Sequence, residues 1–164
     1  MQPGPFMLDT NIFNRVLDGK IPIEALHCWR GDLYATPVQH NELKDTKDEI
    51  RRSNLLAVFR RIGAVEKPIQ SAVFGKHDTW NEVQNWGQSG KYYSKVKEAL
   101  ELRRGASSKS RGRIADALIA EVCLDQGFTL VTTDRDLHVV TEDLGGRALC
   151  LEEFMALPSA DWNP

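Results

Sequence analysis

The sequence predicts an α/β fold with a mainly parallel central sheet. Short apolar or β-branched segments with the character of strands alternate along the chain with segments of helical spacing. The strand predicted at residues 128–132 is apolar and β-branched, which is consistent with a central strand in a parallel sheet. The chain has 164 residues, 41% of them hydrophobic and 27% charged, and shows no internal repeat. We therefore expect one globular domain over residues 1–164.

The first half of the chain predicts two strands joined by helices. Asp9-Thr10-Asn11 follows the first strand and can cap the next helix, which Gly19 and Pro22 end. Apolar residues from Ile50 to Ile62 form a helical stripe that stops at Gly63. The predicted strands are residues 6–8 and 33–36, and the predicted helices are residues 12–17, 23–29, a segment around Glu42, and 50–62.

The second half begins with a segment that has no clear period. Residues 66–86 contain Pro68 and Gly75 and are expected to be loop with short pieces of structure. Residues 105–110 are rich in glycine and serine, which indicates a mobile loop. The remaining predicted elements are helices at residues 93–104, 114–124 and 135–144 and strands at 128–132 and 148–151.

Several classes of protein are disfavoured by the composition. No apolar run approaches the roughly 20 residues that a membrane helix requires. Residues 1–5 lack the basic and apolar regions of a secretion signal. The three cysteines, Cys28, Cys123 and Cys150, form no C-x-x-C pair, so we expect neither a disulfide framework nor a zinc site, and a reducing cytoplasm fits best.

The net charge of -2 conceals a basic segment. Residues 91–113 contain eight basic and two acidic residues, a balance of +6, so the rest of the chain carries -8. A basic flank beside an acidic remainder suits a polyanionic substrate that approaches an acidic, cation-loaded site. A solvated helix face explains the same run equally well.

Four acidic residues stand beside apolar segments. Asp9 and Asp134 directly follow predicted strands, and the carboxyl ends of parallel strands are where α/β folds gather their ligands. Asp116 is expected in the first turn of a buried helix, and Glu42 about one turn into the helix after the second strand. Because unpaired buried carboxylates are costly, four that converge indicate a compensating cation.

Each of these acids also has a plain structural explanation. Asp9 and Asp134 can simply cap the helices that follow them, and Glu42 can be a solvated helix residue. Asp116 is harder to explain in this way, because its neighbours Ala115, Ala117, Leu118 and Ile119 are apolar. Its carboxylate needs a partner, which is either another carboxylate that shares a proton or a cation.

Four strings in order along the chain carry a family resemblance. They are Met7-Leu8-Asp9-Thr10-Asn11, Glu42, Ile114-Ala115-Asp116-Ala117-Leu118-Ile119-Ala120 and Val131-Thr132-Thr133-Asp134-Arg135-Asp136-Leu137. Together they resemble the PIN-domain nucleases, and within these the VapC-type ribonuclease toxins of toxin–antitoxin pairs. The resemblance implies a three-layer α/β/α sandwich, often a homodimer, with an acidic pocket for Mg²⁺ or Mn²⁺. It further implies an endoribonuclease of the cytoplasm, with RNA as substrate and an antitoxin protein as partner.

The resemblance also assigns roles to residues. Asp9, Glu42, Asp116 and Asp134 match the acidic, metal-binding positions, and Asp136 is a helper. Thr10, Asn11, Thr132 and Thr133 would orient the carboxylates or the attacking water. Hard carboxylate oxygens are the ligands that Mg²⁺ prefers, and such an ion activates water for hydrolysis of a phosphodiester. Arg111 and Arg113, which immediately precede the Asp116 segment, are the candidate contacts to substrate phosphate.

Three other functions remain open from the sequence. The chain can be an inactive member of the fold that binds RNA or a protein without cutting, or a nuclease that processes RNA without being a toxin. A phosphohydrolase with Asp9 as nucleophile usually requires a second aspartate two positions later, where this chain has Asn11.

The four histidines have no metal-ligand spacing, and Trp80, Trp86, Tyr92 and Tyr93 suit either base stacking or packing.

Overall fold

The computed structural model describes residues 4–29, 32–69, 90–105 and 110–158, without the side chains of residues 110 and 111. Within these ranges five short strands form one parallel sheet in the order β3-β2-β1-β4-β5. β1 lies at the centre, with Leu8 opposite Val131 of β4 and Phe6 opposite Leu33 of β2. The strands are β1 (Phe6–Leu8), β2 (Leu33–Ala35), β3 (Val65–Glu66), β4 (Thr129–Val131) and β5 (Arg147–Leu149).

Eight helices surround the sheet in the described part of the chain. They are α1 (Thr10–Leu17), α2 (Ile23–His27), α3 (Pro37–Lys44), α4 (Glu49–Ile62), α5 (Tyr93–Arg104), α6 (Ser110–Gln126), α7 (Arg135–Asp143) and α8 (Leu151–Met155). No helix that the structure describes is both long and apolar enough to cross a bilayer.

Side chains on the two faces of the sheet enter two separate cores. Phe6 and Leu8 pack with α1, α2, α4 and α8, whereas Met7 between them packs with α5, α6 and α7. This alternation follows from the two-residue period of a strand. β4 behaves in the same way, because Val131 enters the first core and Leu130 the second. The predicted three-layer α/β/α sandwich with a parallel sheet is confirmed.

Gln39 ties the first turn of α3 to the end of the central strand. Thr36 and Gln39 form a capping box, in which the backbone N–H of Thr36 donates to Gln39 Oε1 at 2.8 Å. The Gln39 Nε2 group donates to the carbonyl oxygen of Leu8 at 2.9 Å. Gln39 is completely buried, so this contact fixes α3 beside the point where β1 ends and Asp9 begins.

Some boundaries differ from those expected. α6 begins at Ser110, so Asp116 lies in the second turn of its helix and not the first. The described ranges omit residues 106–109, which form most of the expected loop at 105–110. The predicted mobility of that loop is therefore not tested. Most of the expected loop at 66–86 also lies outside the described residues.

Two elements were not predicted, and one residue was placed on the wrong face. β3 and α8 had no counterpart in the sequence-based prediction. Ile50 was expected in the apolar stripe of α4, but 76% of its surface is exposed. The buried face of α4 is formed by Leu55, Val58, Phe59 and Ile62, which keep the helical spacing without Ile50.

Gly146 has no room for a side chain. A Cβ atom there would stand 2.8 Å from Leu124 Cδ2 and 2.9 Å from the backbone oxygen of Thr141. We expect Gly146→Ala to lower the free energy of unfolding by about 1–3 kcal/mol, because the backbone must shift to relieve the overlap. Urea denaturation followed by circular dichroism measures this change.

Gly112 provides the matched control. It lies in α6, and a Cβ atom there would meet nothing within 4 Å. Because glycine weakens a helix relative to alanine, Gly112→Ala should stabilise the protein by about 0.5–1 kcal/mol. Equal effects of the two substitutions would contradict the packing described at Gly146.

Candidate acidic site

The candidate site lies where β1 and β4 end side by side. After β1 the chain enters α1, which packs in the first core, and after β4 it enters α7, which packs in the second. The two connections therefore leave the sheet toward opposite faces, which opens a crevice at the carboxyl ends of the strands. Asp9 follows β1 directly, and Asp134 stands three residues after β4.

Asp9 is a buried carboxylate, only 2% exposed. Its Oδ2 atom accepts hydrogen bonds from Thr132 Oγ1 at 2.7 Å and from Asn11 Nδ2 at 3.3 Å. It precedes α1 but makes no side-chain capping hydrogen bond, so helix capping does not explain its presence. Burial, together with the charge of Asp116, raises the pKa of Asp9 from 3.8 to about 7, although the Thr132 hydrogen bond opposes the rise.

Arg104, the last residue of α5, is the partner of Asp116. Its Nη1 atom lies 2.6 Å from Asp116 Oδ2, and its Nη2 atom lies 2.8 Å from Asp134 Oδ2. One guanidinium group thus bridges carboxylates that come from α6 and from the start of α7. The Arg104 side chain is 15% exposed, so solvent screens these ion pairs only weakly.

Asp134 has two functions at once. Its Oδ1 atom accepts from the backbone N–H groups of Asp136 at 2.9 Å and Leu137 at 3.0 Å, which caps α7. Its Oδ2 atom contacts Arg104. The capping explanation is therefore correct but incomplete, because the second oxygen of the same carboxylate belongs to the acidic cluster.

Asp136 lies at the edge of this cluster. Its carboxylate is 3.1 Å from Arg103 Nε and 3.9 Å from Arg104 Nε. Both Arg103 and Asp136 are more than one-third exposed, so their ion pair contributes little to stability.

Glu42 is connected to the site through Thr10. The Thr10 hydroxyl donates a hydrogen bond to Glu42 Oε2, which links α1 to α3 one residue after Asp9. The structure thereby places Glu42 at the side of the crevice near Asp9, while Asp116 and Asp134 meet at Arg104.

The threonines predicted as helpers occupy different positions. Thr132 is buried and links two acids, because its hydroxyl donates to Asp9 and accepts from the backbone N–H of Asp134 at 3.0 Å. Thr133 lines a neighbouring cleft of about 400 Å³. Arg15, Arg135 and His138 line the same cleft, which reaches Asp134.

Arg113, predicted to contact substrate, lies mostly inside the protein. Its side chain is 11% exposed, and its Nη1 atom lies 3.7 Å from Glu101. In this conformation it offers little surface to a ligand. The side chain of Arg111 lies outside the described part of the structure.

Some of the aromatic residues and histidines noted in the sequence lie in the described part of the structure, and others lie outside it. Tyr92 and Tyr93 are partly buried against the second core, which agrees with packing. His40 stacks on Phe59 with ring centroids 4.9 Å apart, and His138 lies 3.4 Å from Glu142. Trp80, Trp86 and His77 lie outside the described residues.

The family model of the PIN domain matches residues 92–143, the segment that carries Arg104, Asp116 and Asp134. This segment of the chain is similar to the PIN domain family. A solved structure gives the same fold: a chain of the VapBC2 complex from Rickettsia felis, bound to a DNA fragment from its promoter, superposes with a TM-score of 0.51. The alignment covers 88% of this chain and 97% of that one at 18% identity. No curated protein sequence matches significantly.

The carboxylates of the acidic site repel one another. Burial raises the pKa of Asp116, although the hydrogen bond and charge of Arg104 counteract the rise. Asp134 contributes to the increase at both Asp9 and Asp116. One guanidinium group carries a single positive charge, so the ionised cluster of three acids retains a negative balance.

An oxygen-rich cluster of this kind fits a hard divalent cation in its chemistry. The residues that would hold it are Asp9, Asp116 and Asp134, with Glu42 beside them. Among the described residues, however, no three acidic, histidine or cysteine side chains are already arranged as a metal-binding group. Arg104 stands between two of the acids, so their carboxylates have to rearrange before they share an ion.

Arg104 was expected only as part of the basic segment at residues 91–113, and its contacts with Asp116 and Asp134 were not predicted. A signal was present, because Val96, Leu100 and Arg104 are spaced four residues apart on one face of α5. Val96 and Leu100 are fully buried, so the same face directs Arg104 inward. Gln39 was missed as well, and its position as the third residue of a capping box was the available signal.

Proposed function

We propose that this protein is a PIN-domain nuclease, namely a Mg²⁺- or Mn²⁺-dependent endoribonuclease and the toxin component of a toxin–antitoxin pair. The observation that carries the proposal is the convergence of Asp9, Asp116 and Asp134 at the crevice between β1 and β4, with a cationic group held among them. A site that accepts positive charge among carboxylates suits a divalent cation and, through it, a phosphodiester.

The roles of the residues follow from their contacts. Asp9, Asp116 and Asp134 would hold the cation, and Glu42 would complete the set directly or through water. Such an ion would activate water and offset charge on the phosphate. Thr132 and Asn11 fix the orientation of the Asp9 carboxylate by donating to it. Arg15 and Arg135, in the cleft beside Asp134, are better placed than Arg113 to contact substrate phosphate.

The direct test is cleavage of structured and total RNA with Mg²⁺ or with EDTA. The wild-type protein should cut only with the metal, and Asp116→Asn should cut at least about 100-fold more slowly, since even the outer partners of metal ligands cost 10–100-fold. Asp125→Asn is the matched control, because it removes the same charge from an exposed position on the same helix. It should cut as the wild type does.

Two results would separate this function from its alternatives. Cleavage that is unchanged both by EDTA and by Asp116→Asn would exclude the metal site. RNA binding without any cleavage would identify a non-cutting member of the fold.

The toxin role and the partners are tested in cells and in solution. We expect expression to arrest growth in a reducing cytoplasm, which suits three free cysteines, and Asp9→Asn to abolish the arrest. Growth without arrest, combined with metal-dependent cleavage, would indicate an RNA-processing nuclease. We further expect a homodimer and an antitoxin partner. Light scattering of the purified protein, alone and with the product of an adjacent gene, measures both.

A further inference from the structure

We propose that Arg104 is an internal cation that a divalent metal ion must displace to enter the acidic site. The inference rests on the proposed metal site and adds a residue that works against it. In the structure the Arg104 guanidinium lies 2.6 Å from Asp116 and 2.8 Å from Asp134, which are two of the four acids assigned to the ion. Arg104 and the metal ion would therefore compete for the same oxygen atoms.

The contacts of Arg104 are strong enough to matter. Charge-assisted hydrogen bonds of this length are the strong class of hydrogen bond, and here all three side chains are mostly buried. The exposed fractions are 15% for Arg104, 19% for Asp116 and 31% for Asp134. The pair of ionic contacts thus holds the two acids in a defined arrangement before any metal binds.

The positive charge of Arg104 is placed beside Asp116 and Asp134 and not beside Asp9, the third acid of the cluster. Asp9 receives hydrogen bonds from Thr132 and Asn11, whereas the two short contacts of Arg104 go to Asp116 and Asp134. A divalent ion brings two positive charges and can contact several carboxylates at once. Exchange of Arg104 for the ion therefore improves the charge balance of the whole cluster, which is a contribution in favour of the displacement.

Arg103 shows that the geometry, and not the charge alone, distinguishes Arg104. The two arginines are neighbours on α5, but in the described part of the chain Arg103 pairs with Asp136, and both partners are more than one-third exposed. Its partner Asp136 is not one of the four acids assigned to the ion. Arg103 is therefore the matched control for the loss of one positive charge near the site.

The experiment measures Mn²⁺ binding by electron paramagnetic resonance or calorimetry, without RNA. Arg104→Gln should bind Mn²⁺ about 10-fold or more tightly than the wild type, since the variant no longer has a competing charge-assisted contact to break. Arg103→Gln should bind as the wild type does. Arg104→Lys should fall between, because lysine is a compact point charge without the planar fork that spans two carboxylates.

Each other result has a definite meaning. Equal Mn²⁺ affinity for the wild type and both Arg104 variants would overturn the competition and leave the metal site standing. Weaker binding by Arg104→Gln, with a circular dichroism spectrum like that of the wild type, would overturn it and make Arg104 a positioning residue for the carboxylates. Absence of Mn²⁺ binding in every protein would overturn the metal site itself.

Discussion

Replacing Asp9 with asparagine should make the metal-free protein more stable above pH 7, by up to about 4 kcal/mol. The pKa of Asp9 rises from 3.8 to about 7 because the carboxyl group is buried and faces the charge of Asp116. A tenfold change in a proton-binding constant corresponds to about 1.4 kcal/mol of difference between the protonation states. Asparagine removes the buried charge while its amide oxygen can still accept the hydrogen bond from Thr132.

The pH dependence gives this prediction its sign. Between about pH 4 and pH 7 the folded protein keeps a proton on Asp9 that the unfolded chain has lost. Stability contributed by this group therefore falls as the pH rises through that window and is constant above it. The advantage of Asp9→Asn over the wild type should grow from pH 4 to pH 7 and then level off. Urea denaturation at a series of pH values, with EDTA present, measures it.

Asp18 offers a control of opposite sign. Its hydrogen bond to Arg51 lowers the pKa of this exposed carboxyl group, so its contribution is present at neutral pH and is lost as the pH falls. Asp18→Asn should therefore be slightly less stable than the wild type at neutral pH. Equal stability of Asp9→Asn and the wild type above pH 7 would contradict a strained, buried carboxylate at position 9.

The same substitution connects stability with function. A divalent ion favours ionised Asp9, so Mg²⁺ should raise the melting temperature of the wild type above pH 7 and should have little effect on Asp9→Asn. Without metal, the inactive Asp9→Asn variant would then be more stable than the wild type. Such an opposition between stability and activity is common at sites that hold like charges together.

Phe6→Ala should lower the free energy of unfolding by about 3–5 kcal/mol. Phe6 is 1% exposed, and its ring makes edge-to-face contacts with Trp29 at 5.2 Å and Phe154 at 5.0 Å between centroids. These rings join the central strand to α8 and to the loop after α2, and truncation leaves a cavity that such a rigid cluster cannot close. Urea denaturation at neutral pH measures the loss.

Ile50→Ala is the control for the first core. Ile50 is 76% exposed, so its truncation should change the stability by less than about 0.5 kcal/mol. A loss at Ile50 comparable with that at Phe6 would restore the original assignment of Ile50 to the buried stripe. It would contradict the orientation of α4 in the structure.

The strands could be predicted where the chain marks them strongly. β1 and β4 are apolar on both faces and are followed by polar turn residues, so their existence and the positions of Asp9 and Asp134 followed from the pattern. β3 has only two residues, Val65 and Glu66, both exposed, and pairs along one edge of the sheet. Such a strand leaves no periodic signal, because its structure comes from pairing with β2.

The acids of the site could be predicted from the sequence more readily than Arg104, the arginine that pairs with them. The apolar neighbours of Asp116 indicated that it needed a partner, and the end of a strand indicated a site at Asp9 and Asp134. That Arg104 contacts the acids, whereas Arg113 lies beside Glu101, depends on how α5 and α6 are rotated against each other. That rotation is set by the packing of buried residues from both helices, which local patterns do not contain.

The central strand β1 comes first in the sequence but pairs with β4, which comes much later. The acidic site between them therefore forms only after both strands are present. Thr132 and Asp9 are 123 positions apart in the sequence and form a direct hydrogen bond. During synthesis Thr132 is translated several seconds after Asp9, at roughly 5–20 residues per second. Pairing over such a sequence distance is also slow in itself. The acidic site therefore cannot be assembled on a nascent chain that still lacks the segment with Thr132 and Asp134.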